Sequence, residues 1–310
     1  MQETSPKSRR SIWLDCGLEV VERILGLGDR RDKSPTRGCY DRLYWKYKLI
    51  DYPSAWFQAA TEYLAILYNI KGSLFQDNPQ ILKWSQDAFG FTLKICNRDG
   101  SLAEAYPYER SFCATAFIGM HLFSAANKVK IDNPDGLRKM ACFLKGRFGN
   151  HLSNQLAAGA LTQLYAAEVL KEEEFSKDAT SKLKALYDNQ TNEGYFEEYG
   201  GLDIGYLSVT LSLLARIDKS FPGIVDKERI QRALSVIDRS VEDDGTYEYQ
   251  KMSRRTQFLY PFGLAYFKSP VLGRLKNGLQ KGIAIRPSWL DDRYVSQLAI
   301  DHLLAAGQEA

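Results

Sequence analysis

Tyrosines, tryptophans, paired acids and arginines cluster at six places along the chain. The first is Tyr44-Trp45-Lys46-Tyr47-Lys48 with Asp51-Tyr52-Pro53, followed by Trp56 and Gln58; the second holds Glu104, Tyr106, Tyr108, Glu109 and Arg110. The third is Gly149-Asn150-His151-Leu152-Ser153-Asn154-Gln155, and the fourth carries Glu197, Glu198, Tyr199, Asp203 and Tyr206. Tyr247, Tyr249, Arg254, Arg255 and Gln257 make the fifth, and Arg286, Trp289, Asp291, Asp292 and Arg293 the sixth. Aromatic faces stack on the C–H patches of sugar rings, whereas carboxylates, amides and guanidinium groups bind hydroxyls and uronate carboxylates. The combination points to an acidic glycan or oligosaccharide as partner. Taken singly, each residue has a plainer use, since acids near a helix start complement its dipole and tyrosines pack across loops. His121 lies inside an apolar segment and reads as a core histidine, and His302 reads as structural. With His151 the three make no metal triad by spacing, so neither a metal nor a cofactor is expected.

The elements that must position these clusters are helices. Strand signals are scarce, while apolar residues recur at helical spacing almost throughout. Periodicity, caps and breakers predict twelve helices, over 11–26, 53–70, 79–96, 110–128, 134–148, 152–171, 173–189, 203–219, 226–241, 254–268, 271–281 and 288–307. Asn78-Pro79 and Asn133-Pro134 each place a capping side chain before a proline at the first helical position. Odd-numbered segments such as DKERIQRALSVIDRS are charged on one side, whereas even-numbered ones such as SFCATAFIGMHLFSAA are apolar nearly all round. A helix apolar on every face must be surrounded by others, which implies an inner and an outer ring. Gly100, Gly194 and Gly245 open similar loops and are separated by 94 and 51 residues, that is, two hairpins and then one. Six hairpins of roughly 50 residues fill the chain, so a single all-α domain over 1–310, an (α/α)6 toroid, is expected, with an open α-solenoid as the alternative and 1–10 as a disordered tail. In a toroid the loops leading into inner helices share one face, and the six clusters fall there.

Composition excludes several classes. Of 310 residues 45% are hydrophobic and 25% charged, an ordinary globular balance. With 41 Lys and Arg against 38 Asp and Glu the net charge is +3, too weak to suggest nucleic acid or an anionic membrane. The N-terminal apolar run is interrupted by Asp15, Glu19, Glu22 and Arg23, so no signal peptide and no transmembrane segment is expected. Five scattered cysteines without a CxxC pair suit reduced thiols and a cytoplasmic setting. Nothing in the composition sets an oligomeric state.

Two of the clusters carry a resemblance. Asn150-His151 followed by the apolar LSNQLAAGAL resembles the Asn-His motif of toroid polysaccharide lyases, the alginate lyase and heparinase II/III-like families. The segment from Gln190 through Gly194 and Glu198 to Tyr206 is similar to their Gln…Asp-Gly…Glu…Tyr stretch, which ends in the catalytic tyrosine. The resemblance implies a lyase that removes the C5 proton of a uronate and expels the oxygen on C4. Asn150 would neutralise the carboxylate, His151 would serve as base or orienter, Tyr206 as general base, general acid or both, and Glu198 would orient one of them. The families' arginine near that tyrosine is missing, for no arginine lies between Gln190 and Tyr206; Arg254, Arg255 or Arg110 would have to replace it. The length leaves no room for the β-sandwich of heparinase-type lyases, which favours an intracellular enzyme acting on an oligosaccharide or a biosynthetic intermediate. The remaining binding candidates are Trp56, Glu104, Tyr108, Glu109, Tyr199, Asp203, Asp292 and Arg293.

Other readings share the residues. An inverting glycoside hydrolase would pair Glu104 or Glu109 as acid with Glu198 or Asp203 as base. A uronyl C5-epimerase needs the lyase residues without a leaving group. A terpene cyclase would use Asp291-Asp292, but the DxDD and DDxxD patterns are absent. A non-catalytic glycan-binding or scaffold protein would tolerate replacement of Tyr206 and Asn150.

Overall fold

The computed structural model describes residues 11–130 and 133–309. The expected tail at 1–10 lies outside the described residues. Among these the chain is all-helical, with isolated β-bridges and no strand. The helices are α1 (Ile12–Leu18), α2 (Val21–Leu27), α3 (Arg42–Trp45), α4 (Ala60–Asn69), α5 (Pro79–Ile95), α6 (Phe112–Val129) and α7 (Pro134–Leu144). They continue with α8 (Ser153–Leu170), α9 (Glu173–Asp188), α10 (Ile204–Ser220), α11 (Lys227–Ser240), α12 (Pro261–Tyr266), α13 (Val271–Lys281) and α14 (Val295–Glu309). None is long and apolar enough to cross a membrane.

The proline-marked starts behave as read: Asn78 accepts from the amides of Gln80 and Ile81, and Asn133 from that of Gly136. Four predictions need correction, one of them 288–307, whose helix begins only at Val295 after the 3-10 turn Pro287–Trp289. The segment 11–26 is two helices, broken by a turn at Glu19 and Val20 that lets Val20 and Val21 both be buried. The segment 53–70 begins with the 3-10 turn Ala55–Ala59 before α4, and the short α3, capped by Asp41, was not expected. The segment 254–268 is helical only from Pro261. Asp203 draws the preceding loop away from a helix by accepting from the amides of Arg254 (3.0 Å) and Thr256 (3.3 Å).

Burial separates two kinds of helix. In α6 and α8 nearly every residue of the first four turns is buried, whereas α11 buries the stripe Ile230, Ala233, Leu234, Val236 and Ile237. The even-numbered helices pack in succession: α4 on α6, α6 on α8, α8 on α10, α10 on α12, α12 on α14, and α14 on α4. Each has a further helix packed on it, with α5 on α4, α7 on α6, α9 on α8, α11 on α10, α13 on α12 and α1 on α14.

The glycines singled out by their spacing share one turn. The amides of Gly100, Gly194 and Gly245 donate to the carbonyls of Asn97, Thr191 and Glu242, whose own amides donate to Ser101, Tyr195 and Thr246. All three glycines have φ between +79° and +103°, and a Cβ at any of them would press on the outer helix that follows, at Lys139, Arg232 and Arg274 respectively. Glycine is required there for handedness and for space.

Candidate active site

A cavity of about 470 Å³ lies between α6, α10 and α14, with Asn154 of α8 and several loops completing its lining. Its outer wall comes from loops, through Glu104, Tyr199, Arg254, Arg255 and Trp289, and from helix starts, through Trp56, Asn154, Tyr206 and Tyr294. Its deep end comes from His121 of α6, Arg216 of α10 and Asp301 of α14. His121 sits eight residues beyond Cys113, roughly 12 Å further along its helix.

Local structure explains the wall. Glu198-Tyr199-Gly200-Gly201 is a tight turn in which Tyr199 (φ +52°) and Gly200 (φ +82°) are both left-handed and Glu198 and Gly201 exchange backbone hydrogen bonds at 2.9 and 3.2 Å. The turn holds the Tyr199 ring edge-on to Tyr206, with centroids 5.8 Å apart. Arg254 stacks 4.3 Å over Tyr199, and its charge acts on the neighbouring Tyr206 phenol. Burial nevertheless holds the Tyr206 phenol above its usual value, only partly opposed by Arg254. Across the cavity Trp56 packs against Phe117 and Tyr294, at 5.3 and 5.8 Å, and Arg293 lies over the Trp56 ring at 5.7 Å.

Of the residues expected at the site, Trp56, Glu104, Tyr199, Tyr206, Arg254 and Arg255 line this cavity. Arg293 stands behind the wall, binding Glu104 at 3.3 Å. Asn150 and His151 are exposed and outside the lining; His151 has φ +55°, and its ring stacks on Phe148. The amide that does reach the cavity is Asn154, one turn further on. Tyr108 is 89% exposed, Arg110 reaches out to Asp99 at 3.4 Å, and Asp292 is taken by Arg23 at 2.7 Å. Of the three arginines considered for the missing position, Arg254 and Arg255 are at the cavity and Arg110 is not.

Three acids are spent on backbone. Glu109 Oε2 accepts from the amides of Glu104 and Ala105 at 2.8 and 2.7 Å. Asp203 caps α10 by accepting from the Tyr206 amide at 2.9 Å, which fixes the first turn that carries the tyrosine. Glu198, fully buried, accepts at 2.6 Å from the amide of Asn154, because α8 has no side-chain cap of its own. The pair required of an inverting hydrolase is therefore not assembled: of Glu104, Glu109, Glu198 and Asp203, only Glu104 lines the cavity. Asp291 caps the turn into α14 through the amides of Arg293 and Tyr294. Among the described residues no group of three or more His, Cys, Asp or Glu is placed to hold a metal ion.

Burial, with the charge of Asp203 nearby, pushes the Glu198 carboxyl up to about 8. The folded chain thus holds this proton more tightly than the unfolded chain, whose carboxyl titrates near 4.5. The resulting stability is full below the lower value and is lost as pH rises through the higher one. Glu198→Gln keeps the acceptor for Asn154 and should flatten the fall in urea midpoint between those two pH values. A fall of the same steepness in the variant would assign it to another group.

No family model matches the chain, and no curated protein matches it. Its chemistry must be argued from the cavity.

The deep end was missed by sequence reasoning. Glu62 of α4, fully buried, accepts from Arg216 Nη2 at 2.8 and 3.0 Å, from Ser124 Oγ, and from Lys128 Nζ at 3.4 Å, and lies 2.6 Å from His121 Nδ1. Burial alone would raise the Glu62 carboxyl, but the charges of Arg216 and Lys128 and the His121 hydrogen bond hold it well below the carboxylate range. Asp301 accepts from Ser212 Oγ and, at 2.7 Å, from the Phe262 amide at the start of α12, and burial pushes it up to about 7. His121, expected in the core, is indeed buried, but it also lines the cavity. His302 is buried beside Trp13, with ring centroids 5.6 Å apart. The signal that could have found the deep end was Glu62, the one charged residue of the otherwise apolar α4.

Proposed function

We propose that the chain is an (α/α)6 toroid enzyme whose cavity receives a uronate unit of an acidic glycan or oligosaccharide and eliminates across C4–C5. The toroid reading is supported by the closed succession of inner helices, α4 to α14 and back to α4, each with its outer partner. Ser11 and Trp13 of the first hairpin also bind Glu309 at the end of α14, at 2.6 and 3.0 Å.

The observation that carries the chemistry is Arg254 beside Tyr206 at the wall of an aromatic-lined cavity. A guanidinium binds a carboxylate through two parallel hydrogen bonds and draws off its charge. The C5 proton then becomes more acidic, and the enolate-like intermediate is stabilised where its charge develops. Tyr206, kept protonated by burial, gives its proton to the oxygen leaving C4. Three cavity-lining residues hold buried polar atoms with no hydrogen-bond partner, namely Trp56 Nε1, His121 Nε2 and Asn154 Oδ1. Orphaned groups on three walls suit a polar ligand such as a sugar.

The test is a panel of oligo- and polyuronates followed by ultraviolet absorbance, which reports the new C4=C5 double bond. Absorbance that grows with time is expected. Saturated reducing ends without absorbance would replace elimination by hydrolysis, and solvent deuterium at C5 without cleavage would make the protein an epimerase. Arg254→Gln should lower kcat/KM by about 10–100-fold, the worth of a hydrogen bond to a charged group. An Arg254 variant with unaltered kcat/KM would remove the arginine from the carboxylate site.

A further inference from the structure

The first of the six aromatic clusters reaches the cavity only through Trp56. Trp45, Lys46 and Lys48 line an open groove of about 590 Å³ instead, and the loop of residues 31–36 forms its other side with Arg31, Lys33 and Thr36. Residues 29–49 hold seven Lys and Arg against three Asp, so the remaining 34 bases face 35 acids and this one segment carries all of the chain's positive excess. Its acids do not offset the groove. Asp29 is buried and held by Arg31 at 2.8 Å and the Thr36 hydroxyl at 2.7 Å, and Asp41, also buried, accepts from the amides of Leu43 and Ser54, both at 3.0 Å. Asp32 is exposed but bound to Arg37 at 3.1 Å. Lys33, Lys46 and Lys48 are exposed and make no ion pair among the described residues.

The walls of the groove are braced by the fold itself. Trp45 Nε1 donates to the Leu27 carbonyl at 2.8 Å, Arg31 lies 5.2 Å over the indole, and Lys94 Nζ donates to the Pro35 carbonyl at 2.6 Å. Lysines are point charges that meet carboxylates from many directions, and an aromatic ring covers sugar C–H patches. Cations on both sides of a groove surround a linear chain, whereas a flat bilayer meets only the rims. From Lys48 to Ser54 the backbone spans at most about 22 Å, and Ser54 Oγ donates at 2.9 Å to the carbonyl of Glu104, a residue of the cavity wall. We propose that this groove is a second, non-catalytic site that binds a polymeric acidic glycan, retaining the chain near the cavity. The choice of glycan rests on the uronate reading above; the groove's geometry and charge do not.

The test is calorimetric titration of the full chain with polygalacturonate at about 10 mM salt, where exposed charges are least screened. Lys33→Gln, Lys46→Gln and Lys48→Gln combined should weaken binding about 10–100-fold, three exposed ion pairs being lost, with the urea midpoint unchanged. Two controls accompany it. Neutralising the exposed Lys71, Lys171 and Lys281, which lie outside the groove, removes the same charge and should cost only a few-fold, as should Arg254→Gln at the cavity wall. Equal losses in the two lysine triples would reduce the effect to net charge and overturn the site. So would an unaltered affinity in the groove triple, or a wild-type chain that does not bind polygalacturonate. Tighter binding of duplex DNA or phosphatidylserine vesicles through the same three lysines would overturn the glycan as ligand. A chain that binds polygalacturonate through these lysines yet generates no ultraviolet absorbance from any uronate sinks the elimination reading and leaves the groove standing.

Discussion

Tyr206→Phe should lower kcat on a uronate substrate by about 10²–10⁴-fold, the usual worth of a positioned general acid, with KM within a few-fold of wild type. The substitution removes one hydroxyl and little else. The ring keeps its edge-on contact with Tyr199, and Asp203 still caps α10 through the backbone amide of residue 206. Because burial keeps the phenol protonated well above its ordinary range, the wild-type rate should show no loss of the acid on the alkaline side up to about pH 10. A substrate whose C4 substituent is an aryloxide needs little help in leaving, and it should recover most of the rate in the variant. If the variant is equally slow on aryloxide and sugar leaving groups, the tyrosine is not the acid.

Arg216→Met should destabilise the fold by about 3–5 kcal/mol, the cost of leaving one member of a buried ion pair without its partner. Glu62 has no exposed surface, and Lys128 at 3.4 Å is the cation that would remain near it. Neutralising both members, as Glu62→Gln with Arg216→Met, should recover most of the loss, because no buried charge is then uncompensated. Urea midpoints of the four chains of this cycle measure it. A double variant as unstable as Arg216→Met alone would show that packing, not charge, is what the arginine supplies.

Much of the helical framework was legible because it rests on local chemistry. Asn78-Pro79 and Asn133-Pro134 cap and start helices with partners only two or three residues away. The apolar run of α6 identifies an inner helix because no other environment would take it. The loop before α12 was misread as helix because its decisive partner, Asp203, is about 50 residues distant. The site was harder for a related reason. Glu109, Asp203 and Glu198 stand near helix starts just as site acids would, and composition cannot tell a carboxylate that binds a ligand from one that binds three amides. Asn150-His151 satisfied a short motif, yet the turn ahead of α8 directs both outward, and Asn154 reaches the cavity instead. Glu62, Arg216 and Asp301 sit on three different helices, and only packing brings them together.

The three repeated glycine turns have a consequence for how such a cavity diversifies. Each is closed by its own backbone hydrogen bonds and packs its glycine on the outer helix of the next hairpin, and side chains of α11 and α13 such as Arg232 and Asn277 bond the carbonyls of two of the loops. Beyond that point, up to the cap of the helix that follows, the loops carry cavity residues such as Tyr199 and Glu104, and in one of them also Glu198, the residue that caps α8. A graft of the residues between Gly194 and the cap of α10 would therefore have to keep Glu198, or α8 loses the acceptor of its first turn while the deep histidine cluster stays untouched.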